Sequence, residues 1–326
     1  MSNRGTVGSG AGRKVAAIVL FTAGTMGSLA TIFGFFGATW WGWDRIADWR
    51  FPLMVVLGIT AIVYGLAFRK GLSAVFLLAA IVNAVLLAPM WLSTQAGAVS
   101  TDRIRIVSLD IGGSGDPRED IVAWIDSVEA DLALLYRSTG DWVATIAIQN
   151  VPYRVVPTPV GADALGQAIV LVRGDAVATP LPPVPGSDVT IHISLGSTEA
   201  TVVGVAVRNP GSSNESESRL TRFEAISKAV LGIDESTVVT GNFEASRWSH
   251  AFGVIANGMT NSENGFGYAA TWPSTDWALI GTYAGLPVDH AVYRGDVTVT
   301  TRRVGPNLGP AHRPLLFDVS PAIGED

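Results

Sequence analysis

The first ninety residues alternate between long apolar stretches and short charged breaks. Residues 15–37 run without a charge, as do 51–68 and 72–92. A bilayer core of roughly 30 Å needs about 20 helical residues, so each stretch is long enough to span. Beyond residue 101 the pattern changes to short apolar runs broken by turns. "RIRIVSLDI", "DLALLYR", "GQAIVLVR", "DVTIHISL", "EATVVGVAVR", "STVVTGN", "PVDHAVYR", "DVTVTTRR" and "RPLLFDV" read as strands. Helices fit "REDIVAWIDSVEA", "SRLTRFEAISKAVLG" and "SRWSHAFGVIA". Asp116, Pro117 and Glu119 mark the start of the first of these. "ATPLPPVPGSD" reads as a proline-rich surface connection. Strand–helix–strand units mixed with consecutive strands predict an α/β sandwich with helices covering paired sheets.

Charge separates the same two regions. Residues 1–100 carry seven basic and two acidic side chains; 101–326 carry 15 basic and 26 acidic ones, about −11. The mean hydropathy of +0.35 comes largely from the first region. Arg4, Arg13 and Lys14 precede the first span, and Arg69 and Lys70 form the turn between the second and third. Cytoplasmic loops carry the excess of Lys and Arg. This predicts a cytoplasmic N-terminus (1–14), three transmembrane helices (15–37, 51–68, 72–92), a polar linker (93–101) and an extracytoplasmic domain (102–326) in a bacterial cytoplasmic membrane. The first apolar stretch is too long for a cleaved signal peptide. Trp40, Trp41, Trp43 and Trp49 suit the lipid–water interface. Asn83 is expected to hydrogen-bond between helices.

Composition removes several chemistries. There is no cysteine, so disulfides, thiolate metal sites and cysteine nucleophiles are excluded. The acidic domain argues against a nucleic-acid partner, because binders of that polyanion present basic surfaces. His192 and His250 stand outside any metal-ligand spacing. No zinc motif, phosphate loop or nucleophile elbow is found.

The order of short segments in 103–320 resembles the endonuclease/exonuclease/phosphatase superfamily, in particular bacterial members with a three-span anchor. "GNFEASRWSHAF", "GFGYAATWP", "VDHAV" and "PAHRPLLFDV" carry the resemblance, in family order. It implies a four-layer α/β sandwich that cleaves phosphoesters with a divalent metal, a histidine and several carboxylates. It also places the site. Asp110 stands where the family has an asparagine, and Arg137 where it has a metal-binding glutamate. Arg208 stands at the catalytic histidine (Val207 with a one-residue offset). Asn242 and Glu244 replace Asp and Asn in the Gly-Asp-Phe-Asn turn. Asp289 and His312 keep the family residue, while Ala311 replaces the aspartate that orients the last histidine.

Two readings follow. In the first, the pocket is degraded and the domain is a non-catalytic binding or scaffolding module of the envelope, with a lipid, glycan or protein partner and no cofactor. Its arginines either neutralise Asp110, Glu244 and Asp289 or, as Arg137, Arg208 and His312, form an anion site. In the alternative, Asp110, Glu244 and Asp289 still gather Mg²⁺ or Mn²⁺, and the domain hydrolyses a lipid-like or other small phosphoester. On the first reading His312 lacks its carboxylate partner and is a poor base.

Overall fold

The computed structural model describes residues 7–93, 102–112, 118–139, 142–274, 283 and 285–322. The chain divides into two compact units, Met1–Pro89 and Met90–Asp326. The first contains α1 (Val7–Phe33), α2 (Trp41–Ala47), α3 (Arg50–Ala67) and α4 (Lys70–Leu87); a single turn, α5 (Pro89–Leu92), follows. Three segments are long and apolar enough to cross a membrane: Ala11–Phe33, Arg50–Ala67 and Lys70–Leu87. The first and third stop earlier than the apolar pattern predicts. A tight turn at 34–36 ends α1. α4 ends at Leu87; Ala88 keeps helical backbone and Pro89 opens α5, a first helical position where the missing N–H costs nothing. Most of the expected linker, 94–101, lies outside the described residues.

The three long helices meet over a buried polar group. Asn83 on α4 donates to Thr31 Oγ1 on α1 at 2.8 Å, the interhelical bond expected of it. Its Oδ1 accepts from Arg50 Nη1 at 3.3 Å. Arg50 reads in the sequence as an ordinary loop charge, yet it is only 1% exposed. Its Nη1 donates to the carbonyl of Thr31 at 2.7 Å, one of the last carbonyls of α1, which has no partner within the helix. The guanidinium therefore caps α1, with the Phe35 ring 4.4 Å away. A Cβ at Gly34 would lie 2.8 Å from Arg50 Nη2, which explains the glycine there.

The second unit holds two six-stranded sheets. Its elements are β1 (Ile104–Asp110), α6 (Arg118–Ser127), β2 (Leu132–Ser138), α7 (Trp142–Gln149), β3 (Tyr153–Val156), β4 (Gln167–Arg173), β5 (Val177–Leu181) and β6 (Val189–Leu195). They continue with β7 (Thr198–Ala206), α8 (Ser213–Leu231), β8 (Thr237–Asn242), α9 (His250–Ile255), β9 (Thr260–Asn261), β10 (Asp289–Arg294), β11 (Val297–Val304) and β12 (Leu315–Pro321). The first sheet runs β11-β12-β1-β2-β4-β3 and the second β5-β6-β7-β8-β10-β9. Each has one parallel pair, β1–β2 and β7–β8, joined by the long crossovers that contain α6 and α8.

Packing follows from the apolar faces. Ile106, Leu134, Val202, Val238 and Phe317 belong to the core between the sheets. Ile121 of α6 and Trp142 of α7 pack on the outer face of the first sheet, and Phe223 of α8 and Phe252 of α9 on that of the second. The result is the expected four-layer sandwich, helix–sheet–sheet–helix.

Three local readings change. The proline-rich connection begins inside β5, where Pro180 is tolerated because this edge strand pairs only with β6. The helix expected over "SRWSHAFGVIA" is shorter: Trp248 lies in the preceding turn, and Ser249 caps α9 by accepting from Phe252 N at 3.0 Å. The short helix α7 was not expected.

Gly241 in β8 sets how closely two strands approach. Its φ is +143°, and a Cβ there would fall 1.8 Å from the Val205 carbonyl oxygen across the β7–β8 pair. Gly241→Ala should destabilise the domain by about 3 kcal/mol, as overpacking of a rigid neighbour does. The shift in the domain's denaturation midpoint measures it.

Candidate functional site

Six of the seven expected site residues converge at the ends of the central strands. Asp110 ends β1, Asn242 ends β8 and Asp289 begins β10, directly opposite Asn242 in the antiparallel register. Arg137 lies near the end of β2, where the pairing with β4 shifts between Leu135 and Ser138. Glu244 follows β8 by two residues, and His312 precedes β12. Arg137 and Glu244 adopt left-handed backbone, φ +52° and +47°. Such geometry costs a non-glycine residue on the order of 1–2 kcal/mol, so the surrounding contacts must hold it.

Those contacts centre on Asp110, which is fully buried. Its Oδ1 accepts from Arg137 Nε at 2.7 Å and from Gly112 N at 2.9 Å. Its Oδ2 accepts from Arg137 Nη2 at 2.6 Å and from Asn242 Nδ2 at 2.8 Å. A carboxylate offers about four acceptor directions, and all four are taken. The Arg137 pairing is the bidentate fork that makes such bonds strong. Gly112 makes room for it, since a Cβ there would lie 2.5 Å from the guanidinium.

His312 is not without a carboxylate. Its Nδ1 lies 2.8 Å from Asp289 Oδ2, and its Nε2 lies 3.6 Å from Glu244 Oε1. Asp289, at the start of β10, thus supplies the carboxylate that orients the ring. Burial alone would lower the His312 pKa; Asp289 first, then Glu244 and Asp110, outweigh it and raise it to about 10. The ring is therefore an imidazolium at neutral pH and holds no free lone pair to take a proton. Asn242 bridges the two halves: Nδ2 also reaches Glu244 Oε1 at 3.1 Å, and Oδ1 accepts from Glu244 N at 2.9 Å.

Arg208 is not part of this network. It is exposed, two residues beyond β7, and makes no hydrogen bond or ion pair with a described residue. The expected anion triad of Arg137, Arg208 and His312 is thus not assembled; two of its members are enclosed in ion pairs.

A second buried group was not expected from the sequence. Glu263 is fully buried, with Arg302 Nη2 at 3.4 Å, His290 Nδ1 at 3.3 Å and Arg247 Nη1 at 3.9 Å. Burial would raise its pKa, but His290, Arg302 and Arg247 hold it down at about 2. His290 Nε2 donates to the Ala245 carbonyl at 2.7 Å and so pins the turn that carries Glu244. Neighbouring strand residues face opposite ways. That alternation puts Asp289 in one cluster and His290 in the other, and it was the one sequence signal for the second group.

The two clusters together bring four carboxylates (Asp110, Glu244, Asp289, Glu263) against three arginines (Arg137, Arg247, Arg302) and two histidines, His312 and His290. The residues present do not fit a divalent cation. Asp110 has no acceptor direction left, and Arg137 occupies the space beside it. Among the described residues, no group of three or more His, Asp or Glu side chains is arranged to hold a metal ion.

No protein-family model matches the chain, and no curated protein does either. Solved structures do. A humanized D. rerio TDP2 carrying 14 mutations superposes with a TM-score of 0.51 at 11% identity, over 67% of this chain and 99% of its own. D. rerio TDP2 with a single-strand DNA product gives 0.51 at 12%, with the same coverage. An endonuclease/exonuclease/phosphatase from Bacteroides vulgatus gives 0.48 at 17% identity, over 67% and 99%. At these identities the likeness is one of fold: the C-terminal domain has the endonuclease/exonuclease/phosphatase fold.

The His312 pairing sets a pH dependence. Its folded pKa lies above the ordinary value of about 6.5, so its stabilisation is complete below that pH and is lost as pH rises towards 10. The domain's calorimetric midpoint should fall by about 5 °C or more between pH 7 and 10. In His312→Gln that alkaline fall should be much smaller.

Proposed function

We propose that the chain is a membrane-anchored protein whose endonuclease/exonuclease/phosphatase-fold domain is a non-catalytic binding or scaffolding module of the cell envelope, outside the cytoplasmic membrane. The four-donor saturation of Asp110, with Arg137 as its fork, is the observation that carries this reading. A metal-dependent hydrolase needs a carboxylate free to bind the ion and a base free to take a proton. Here Asp110 is filled, and His312 is held as an imidazolium between Asp289 and Glu244. Loss of several cooperating groups is not made good by those that remain. The acidic domain suits an uncharged or small partner better than nucleic acid.

One observation favours a second reading. The buried Asp289–His312 pair, at 2.8 Å, is the kind of couple that hydrolases use to orient an imidazole. If Arg137 swung out, Asp110, Glu244 and Asp289 would be left to hold Mg²⁺ or Mn²⁺, and the domain would cleave a small or lipid-like phosphoester.

The two readings part on one assay. The purified protein with bis(p-nitrophenyl) phosphate and Mg²⁺ or Mn²⁺ should show no turnover above background. Metal-dependent turnover that Asp289→Ala abolishes would establish the hydrolase instead. The triple variant Arg137→Glu, Asn242→Asp, Ala311→Asp should gain Mn²⁺ binding measurable by calorimetry, which the unaltered protein lacks.

Orientation is testable because the chain has no cysteine of its own. In intact cells Ser127→Cys should react with a membrane-impermeant maleimide, and Gly71→Cys should react only after permeabilisation. The reverse pattern would place the domain in the cytoplasm.

A further inference from the structure

Beside the buried network is an open cleft of about 810 Å³, within the range of small-molecule sites. Its lining comes from one face of α8, from Asp163 and Leu165 between β3 and β4, and from Val207 and Arg208 just past β7. The cleft is preformed. Gly161 N donates to the Asp188 carbonyl at 2.8 Å, and a Cβ at Gly161 would lie 1.8 Å from the Ser187 carbonyl oxygen. That contact fixes the 161–165 turn against the second sheet.

The cations of the cleft differ in availability. Arg219 is buried, and its Nη1 donates to the Glu244 carbonyl at 2.6 Å. Arg222 is committed to the Asp188 carboxylate at 3.0 Å and to the carbonyls of Gly186 and Ala206. Arg208 alone among the three is exposed, and it pairs with no described residue.

Charge narrows the ligand. Asp163, Glu215 and Glu217 also line the cleft, and Asp188 lies behind Arg222. Four carboxylates against three arginines leave a net charge of −1, unfavourable to a dianion or polyanion. One monoanionic group matched to the Arg208 fork is a different matter, because a guanidinium binds a carboxylate bidentately. Around it, Asn214, Ser218 and Thr221 offer amide and hydroxyl groups, and Asp163 and Glu217 accept hydrogen bonds from hydroxyls.

We propose that this cleft binds a hydroxylated monocarboxylate of the sugar-acid type, with the carboxylate on Arg208 and the hydroxyls along α8. The proposal deepens the reading of the domain as a binding module by naming its ligand class. It stands apart from the hydrolysis assay, since the cleft uses none of Asp110, Arg137, Asp289 or His312.

The test is titration calorimetry on the full chain in detergent micelles, with glucuronate, glucose 6-phosphate and glucose as probes. Glucuronate should bind saturably, glucose 6-phosphate more weakly and glucose not measurably. Arg208→Ser should weaken glucuronate binding about tenfold or more, the effect of losing a hydrogen bond to a charged group. Arg303→Ser, an exposed control, should leave it unchanged. The proposal falls if glucuronate shows no binding at about 10 mM, well above a millimolar Kd. Unchanged affinity in Arg208→Ser would equally overturn it. Tighter binding of glucose 6-phosphate would replace it with a phosphate site.

Discussion

The second unit depends on the fork between Arg137 and Asp110. It joins the ends of the two parallel strands of the first sheet, and Asn242 on the same carboxylate ties in the second sheet. A buried ion pair is weak evidence for net stability, because desolvating both charges offsets most of their attraction. Its value here is geometric. Arg137 sits in left-handed backbone that few neighbours would impose on it, and the fork makes that conformation the one that satisfies Asp110. Removing Arg137 would leave a buried carboxylate uncompensated, which typically costs about 3–5 kcal/mol. The pocket is therefore locked shut by the residue that also defines it.

The lock extends to a wider set of charged groups. Asp289 faces His312 on one side of β10, and His290 faces Glu263 on the other. A single strand thus couples two clusters of buried charged groups. The high pKa of His312 belongs to that set, since a neutral ring would leave Asp289 and Glu244 facing each other without a cation. Changing one member of such a network unsettles the others.

Much of this fold is legible in the sequence because buried strands leave short apolar runs. β1, β2, β4, β6, β7, β8, β10, β11 and β12 were all readable that way, as was α8. The elements that escaped had other signals. β5 contains a proline that only an edge position permits, and β3 and β9 are only four and two residues long. At the site, motif order named six residues that the structure brings together, but pairing is a tertiary fact. Nothing in the sequence says that Asp289 is the partner of His312, because Asp289 begins β10 in the second sheet, His312 precedes β12 of the first, and the two meet by packing and not by spacing. Arg208 shows the converse: a strand-end position taken from motif order lies outside the network once the chain turns away after Val207.

Arginine does two different jobs in the two units, and the same property suits it to both. In the first unit, Arg50 reaches a helix-end carbonyl and an asparagine at once while its flat face lies near Phe35. In the domain, Arg137 meets both oxygens of Asp110 in one plane. A lysine is a point charge on a flexible stem and could satisfy neither geometry. The chain has 19 arginines and three lysines, so composition alone would have made an arginine at any one position unremarkable. What marks Arg50 and Arg137 is burial with directional partners. Each takes a place where a smaller group would leave carbonyl or carboxylate oxygens unmet; at Arg137, burial alone would lower the pKa, but Asp110 outweighs it and raises it. A pocket closed by such a group differs from one closed by a titratable side chain, because no change of pH within the physiological range reopens it.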